Sequence, residues 1–408
     1  GRLLAARNMS HVVFEAAPTP GGVIRSRTVE GRVVEEGPQR TRLTPAVRRL
    51  VAALELEQQL LIAPAGLPLF IYARGRLRRA PLSLSQLGST DLFDVSAKTR
   101  VLMEPFTSPA QAEESVAGYL TRRFGAAAYE DLLGPLFGGL YAEDPADMPV
   151  RHTLAPVLRE LGATRSAVLA LLRRGVPGGA SPPVSFRGGM RALTDALHHA
   201  SIDRVRLSTP VRGLRQTGAG YTLQTDDGPI RARHVVLTVP AGEAARLLAD
   251  TAPAASAAIG ALRYNPIALV HMDADPSVRG LGYQVSFREA LETRGVTFNH
   301  ALFDRPRLYT AFLGGARNPA LASADDDAIA AIATREFATV TGLAATPLNV
   351  ARAWIPSWNR GWDALDRLTL PPGIHLAANY ESRIGITGRL ARARAVADVV
   401  SVALRDRV

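Results

Sequence analysis

His11-Val12-Val13-Phe14-Glu15, then Pro20-Gly21-Gly22-Val23-Ile24-Arg25, then Glu36-Gly37-Pro38 form the stretch whose reading decides the fold. A β-branched run that ends in an acid reads as a buried strand. An acid there, Glu15, can accept hydrogen bonds from both hydroxyls of a dinucleotide ribose. Pro18, Pro20, Gly21 and Gly22 make a turn. The glycines leave no Cβ between backbone N–H groups and a phosphate or ring. Residues 23–29 and 33–36 read as strands around Glu30-Gly31. A GxGxxG loop is expected roughly 20 residues before such an acid. Here Gly1-Arg2-Leu3-Leu4-Ala5-Ala6-Arg7 reads as the back half of the helix that follows such a loop, so a preceding strand and glycine loop are expected in the gene product.

Outward from this stretch the texture alternates. Residues 44–61 have helical spacing of apolar positions, with Pro45 in the first turn. Phe70 to Tyr72 and the segment after Gly75 read as a hairpin. From about residue 82 to 174 strand signals vanish and amphipathic helices dominate, as at 112–124 and 129–137. Residues 175–183 are a loop by composition. Residues 189–199 then read as helix, 211–214 and 221–225 as strands, and Asp227-Gly228 as a hairpin turn. The run 235–239 lacks polar/apolar alternation, which marks a strand covered on both faces. Further strands are expected at 267–272 and 308–312, and a helix from Ser323. Asp325-Asp326-Asp327 reads as that helix's cap and first turn, since acids there meet the helix dipole. Residues 373–408 read as strand, loop and long helix. The alternation suits a nucleotide-binding domain interrupted by substrate-domain insertions.

Composition bounds the function. Among 408 residues, 47% are hydrophobic and 21% charged, so most of the chain can bury enough apolar surface to order. With no cysteine, thiolate catalysis, iron–sulfur clusters and cysteine-ligated zinc are excluded. The net charge of +11 comes from scattered arginines, Lys98 being the only lysine, with no aromatic-interleaved stripe of the kind nucleic acid needs. No apolar run reaches the ~18 residues of a membrane span. A cytoplasmic protein is expected, touching a membrane peripherally at most. No GxSxG or HExxH occurs, and the eight histidines are scattered; no nucleophile–base set and no metal site is read.

The ordered set of acid, Gly-Gly-x-x-Arg, strand and Gly-Pro resembles the flavin-containing amine-oxidase superfamily. Farther along come Glu104-Pro105, Arg123-Phe124-Gly125, Gly139-Leu140-Tyr141-Ala142-Glu143-Asp144-Pro145, Phe186-Arg187-Gly188-Gly189-Met190, Tyr264-Asn265-Pro266, Gly314-Gly315-Ala316-Arg317 and Leu376-Ala377-Ala378-Asn379. In this order they look like the oxygen-dependent porphyrinogen oxidases of haem biosynthesis, from residue 3 onward. The resemblance implies an α/β, multi-domain fold. A Rossmann-like FAD-binding domain (1–62, 184–250 and 353–408) would be interrupted by a helical substrate insertion (63–183) and a mixed-sheet substrate domain (251–352). It implies FAD as cofactor, a porphyrinogen as substrate and molecular oxygen as acceptor, with the flavin carrying the chemistry. For FAD it implies Glu15 on the ribose, Gly21, Gly22, Val23, Ile24, Arg25, Gly37 and Pro38 near the pyrophosphate and ring, and Val211 by the adenine. Asn379, Ile384, Gly385 and Ile386 would line the ribityl chain and flavin. Trp354 is expected either to line the flavin or to pack in the core. For the macrocycle it implies Gly139, Leu281 and Gln284, with Arg74, Arg76, Arg78 or Arg79 as partners for propionates. The chain departs from common family residues at Leu69, Gln284, Ala378, Arg383 and Gly388. Two further readings stay open: another flavin oxidase acting on amines or polyenes, and a non-catalytic porphyrin-binding relative.

Overall fold

A computed structural model describes residues 1–111, 113–174, 181–218, 220–381 and 385–405. Two short parallel pairs stand at the base. Val13–Phe14 runs beside Val205–Arg206, and Val235–Leu237 beside Ile374–Leu376. The non-alternating run thus forms the expected parallel strand, with Val235 and Leu237 buried. Strands Gly220–Thr225 and Gly228–Ala232 form the hairpin announced by Asp227-Gly228.

The helix read at 44–61 is shorter than expected. It spans Pro45–Ala53, with the Thr44 hydroxyl accepting from the Val47 N–H. Glu55 then takes a φ of 56°, and Leu60–Ile62 becomes a strand beside Pro183–Phe186. Leu54, Leu56, Leu60 and Leu61 fit either period, and the available strand edge decides.

The dominant element is a seven-stranded mixed sheet. Its order is Ala345–Pro356, Tyr264–Ala274, Leu308–Gly314, Thr293–Thr297, Gly282–Val285, Leu69–Ala73, Arg76–Arg79. Three of these strands, at 282–285, 293–297 and 345–356, carry no clear sequence signal. The last contains Pro347 and Pro356, which an edge strand tolerates because one side needs no ladder hydrogen bonds.

Register gives this sheet two different faces. Ala268, Val270, Met272, Tyr283, Val296, Ala311 and Leu313 share one, buried under Ile329, Ala333 and Phe337 of the helix Asp326–Thr341. That helix is capped by Asp325, whose Oδ1 accepts from the Asp327 N–H at 2.9 Å, as the acid run implied. The other face carries Leu269, His271, Gly295, Thr310, Phe312 and Gln284. Around Ile71 and Ala73 it is covered by Leu87, Leu92, Phe93 and Leu132 of the helical insertion.

A fully buried ion pair anchors that insertion. Glu104 Oε1 accepts from Arg123 Nε at 2.9 Å, and the same carboxylate accepts from the N–H groups of Ala167 and Val168, at the start of the helix Ala167–Arg174. Among the described residues no helix is long and apolar enough to cross a membrane.

Candidate functional site

Glycine geometry builds one wall of the site. Gly21 has φ 114°, and a Cβ there would lie 2.8 Å from the Ile24 carbonyl oxygen. Gly22 has φ 56° with open space where a Cβ would be. A Cβ on Gly37 would fall 1.9 Å from the Val23 carbonyl oxygen, so only glycine lets these two backbone segments touch. Beside them is a cleft of about 210 Å³ lined by Thr19, Pro20, Ile24, Arg25, Ser26, Arg27, Glu36 and Arg191. Ile24 and Ile386 meet in one apolar cluster with Met190 and Leu193, so the turn after Glu15 and the start of the last helix share a core.

A second group forms at the strand end. The Glu15 carbonyl accepts from the Thr209 N–H at 2.9 Å. Its carboxylate Oε1 accepts from the Ala17 N–H at 2.8 Å, which fixes the side chain at the edge of the parallel pair. Val211 lies two residues past Thr209 and passes its carbonyl to Arg246 at 3.0 Å. Asn379 follows the parallel strand Ile374–Leu376, and its Oδ1 accepts from Tyr264 Oη at 3.0 Å. Ile384 and the departure at Arg383 lie outside the described residues; Gly385 has φ 93°.

Buried polar groups join this wall to the open sheet face. Glu35 accepts from Arg305 Nη2 at 2.8 Å, Ser26 Oγ at 2.5 Å and the Met190 N–H at 3.0 Å. Gln39 Oε1 accepts from Asn299 Nδ2 at 3.3 Å, and Asn299 Oδ1 accepts from Thr310 Oγ1 at 3.0 Å. His271 Nε2 bonds the Glu35 carbonyl at 3.0 Å. Burial pushes the His271 pKa down to about 4, so the ring is neutral at physiological pH and donates from Nε2. Segment 35–39 therefore lies across the row of His271 and Thr310, next to the row of Leu269, Phe312, Gly295 and Gln284.

The facing wall is the helix Gly134–Tyr141, entered through a π-helical turn at Tyr129–Leu133 and closed by Ala142 at φ 52°. A Cβ built on Gly134 would lie 2.7 Å from the Phe287 ring. One on Gly139 would lie 2.7 Å from Gln284 Oε1. Arg317 stacks over Phe287, 4.0 Å from its ring centre. The structure thus brings Gly139 and Gln284 into contact.

Three expected placements change. Leu281 packs with Ala63, Leu302 and Phe303, apart from the Gly139–Gln284 contact, because residues 281 and 284 fall on opposite sides of the strand path. Trp354 pairs with Pro266 on the face covered by the helix Asp326–Thr341 and is 57% exposed, so it is neither core nor part of the open face. Arg74 sits in a hairpin turn at φ 51°, donates to the Leu92 carbonyl and reaches Asp131 at 3.5 Å. Arg76 and Arg78 likewise face Asp91, so the chain's own acids engage these three arginines. Sequence reasoning missed Glu35, Gln39, Asn299 and Arg305. The one available signal was Glu35 itself, an acid at the inward position of a strand after buried Val34.

The family described as flavin containing amine oxidoreductase matches residues 1–400. The chain is 25% identical to a chloroplastic protoporphyrinogen oxidase of Nicotiana tabacum over 94% of its own length and 80% of that protein's. It is 29% identical to a coproporphyrinogen III oxidase of Mycobacterium bovis, over 95% and 91%. A crystal structure from Exiguobacterium sp. 255-15, provisionally assigned as a protoporphyrinogen oxidase, superposes with a TM-score of 0.79 at 22% identity, over 98% of this chain and 95% of that one. The α/β architecture, the glycine wall and the family match agree: this chain belongs to the flavin-containing amine oxidoreductases and is a flavin-dependent oxidoreductase.

Proposed function

We propose that the protein oxidises a porphyrinogen, either protoporphyrinogen IX or coproporphyrinogen III, to the porphyrin, with FAD as its flavin and molecular oxygen as acceptor. The observation that carries this reading is the helix surface at Gly139, which bears no side chain and is closed only by the mobile end of Gln284, whose Oε1 would lie 2.7 Å from a Cβ there; a flat macrocycle reaches this surface once that side chain swings aside. The relatives named for porphyrinogens support the same choice.

The residues present fit a dinucleotide flavin. Glu15 offers a carboxylate at a strand end, with Oε2 left without a partner among the described residues. Gly22 exposes backbone at positive φ with no neighbour in the way. FAD, when bound, supplies the two-electron acceptor for each of three oxidations of the macrocycle. Glu15 would hold the ribose, Gly21 to Arg25 and Gly37-Pro38 the pyrophosphate and ring, Val211 the adenine, and Asn379 with Ile384, Gly385 and Ile386 the ribityl chain. The protein's own work is to bind and orient. The Glu35–Arg305 and Gln39–Asn299 bonds fix the glycine wall over the sheet, and the insertion closes the other side against water. Neutral His271 faces the Glu35 carbonyl and adds no further charge to the seam beside the Glu35–Arg305 pair.

In this reading residues 1–62, 184–250 and 353–408 form the flavin domain, with 63–183 and 251–352 contributing the substrate part. The enzyme is cytoplasmic, with at most peripheral membrane contact. An amine oxidase that needs a lysine at its flavin fits less well. The single lysine, Lys98, donates to the Gly88 carbonyl at 2.9 Å on the insertion's exposed side. The test is to purify the full gene product, record the visible flavin spectrum and identify the released cofactor. Both porphyrinogens are then offered in air. A colourless protein would remove the oxidase reading and leave a non-catalytic relative.

A further inference from the structure

Gln284 is the one polar side chain in an otherwise apolar row. Across the large sheet that row runs Ile71, Gln284, Gly295, Phe312, Leu269 and Ala351. Ile71 lies under Leu87, Leu92 and Leu132, and Leu269 packs with Ala142 and Phe312, so the two sides of the row are buried. Gln284, between them, is half-buried. Two glycines make the room for its amide. A Cβ built on Gly295 would come 3.0 Å from Gln284 Cδ and Nε2, and one on Gly139 would come 2.7 Å from Oε1. The side chain therefore folds across bare strand backbone and ends against bare helix backbone. In that place its amide makes no hydrogen bond with any described residue. The amides deeper in the seam differ. Gln39 donates to the Glu35 carbonyl and accepts from Asn299, which in turn accepts from Thr310. An unbonded amide in an apolar row adds nothing to the empty protein, and such local inconsistencies mark functional positions.

The reduced and the oxidised macrocycle offer this amide different partners. A porphyrinogen has four pyrrole N–H groups joined through tetrahedral methylene bridges. Its pyrroles tilt, and the N–H groups can converge on one acceptor held over the ring face. A porphyrin is aromatic and flat. It keeps two N–H groups, and these point into the ring centre, within the plane. Resting on the porphyrinogen reading, we propose that Gln284 Oε1 accepts hydrogen bonds from the tilted N–H groups of the reduced ring and so makes the site prefer substrate over product. Pushed off Gly139 by the ring, the side chain stays hinged on the strand Gly282–Val285 and meets the ring from the sheet side. The amide only accepts; no proton moves to it. A polar group that one ligand satisfies and its flat analogue leaves unpaired discriminates more sharply than shape alone.

The test uses the FAD-loaded full gene product, kept free of oxygen with its flavin reduced by dithionite, so that bound porphyrinogen is not turned over. Coproporphyrin III binding is read from its absorption, and coproporphyrinogen III affinity from competition with it. The protoporphyrin pair is measured in the same way. Gln284→Met keeps the length of the side chain without its amide; Gln284→Glu keeps an acceptor oxygen at that length. Gln284→Met is expected to bind the porphyrinogen roughly 10-fold more weakly and the porphyrin as the parent does or more tightly. Gln284→Glu should keep the preference for the reduced ring. The melting temperature of ligand-free Gln284→Met should stay level or rise, because no bond is lost. Equal changes for porphyrinogen and porphyrin in Gln284→Met would overturn the proposal, since size alone would then explain them. So would a Gln284→Glu variant that behaves as Gln284→Met does. A clear fall in melting temperature would show that the fold itself uses the amide, and would overturn it too. If the parent binds neither ring of either pair, the porphyrinogen reading itself fails. A parent that binds reduced and oxidised rings equally well sinks the Gln284 proposal alone.

Discussion

Replacing Glu35 with glutamine keeps the shape of the seam between the glycine wall and the sheet but removes its charge. Glu35 and Arg305 side chains are 0% and 5% exposed. Arg305 Nη2 donates to Glu35 and to Ser185 Oγ at 2.9 Å, while its Nε and Nη1 have no partner among the described residues. Glu35 is therefore the only carboxylate that the structure pairs with this guanidinium among the described residues. Removing one member of a buried pair costs about 3–5 kcal/mol, because the other charge stays buried and uncompensated. Against a total stability on the order of 5–15 kcal/mol this is a large share. Arg305→Met removes the stranded charge, so the double variant should recover part of the loss. The glutamine oxygen keeps an acceptor for the Met190 N–H, which bonds Oε1, while the Ser26 hydroxyl, which donates to Oε2, meets the amide nitrogen instead. The assay is urea unfolding of the parent, both single variants and the double, analysed as a cycle. A coupling above about 2 kcal/mol is expected. If Glu35→Gln costs less than about 1 kcal/mol, or the two changes add, the seam is not held by this pair and the argument for a fixed wall fails.

Three more outcomes follow from the same geometry. Glu15→Ala should weaken FAD by about 2–4 kcal/mol, the worth of a lost pair of hydrogen bonds to a charged acceptor, with unchanged melting; equal FAD affinity by titration would refute the ribose assignment. Gly139→Ala should be neutral or stabilising, since alanine favours helix and the crowded atom is the mobile end of Gln284, yet porphyrin affinity should fall roughly 10-fold; unchanged affinity would move the macrocycle elsewhere. For His271 the folded pKa, about 4, lies below the ordinary 6.5. The unfolded chain takes up the proton first, so stability present above pH 6.5 should fall as pH drops toward 4. The loss approaches about 3 kcal/mol. Chemical unfolding at several pH values, with His271→Asn flattening this limb, checks it.

The local backbone devices around Glu15 and Gly37 were legible because each is made within a few residues. The acid at the strand end, the Gly-Gly turn and the Gly37-Pro38 pair each solve a backbone problem within a few residues, and the structure puts Gly37 against the Val23 carbonyl as such a turn requires. The non-alternating run at 235–239 likewise marked a strand covered on both sides. The substrate side was less legible because it is assembled by long-range register. Only the sheet order reveals that Trp354 and Gln284 lie on opposite faces, or that Leu281 turns toward Phe303. The Arg74 to Arg79 cluster looked available for a ligand, but Asp91, in the loop after the helix Leu84–Ser89, and Asp131, in the π-helical turn, are folded against it.

The most direct test of the central claim is fluorescence from the FAD-loaded full gene product given colourless coproporphyrinogen III and, separately, protoporphyrinogen IX in air. The account predicts growth of porphyrin fluorescence from at least one of the two, with oxygen consumed and no signal above the spontaneous rate when FAD is stripped. Flavin shown to be bound, with no porphyrin formed from either compound, would contradict it.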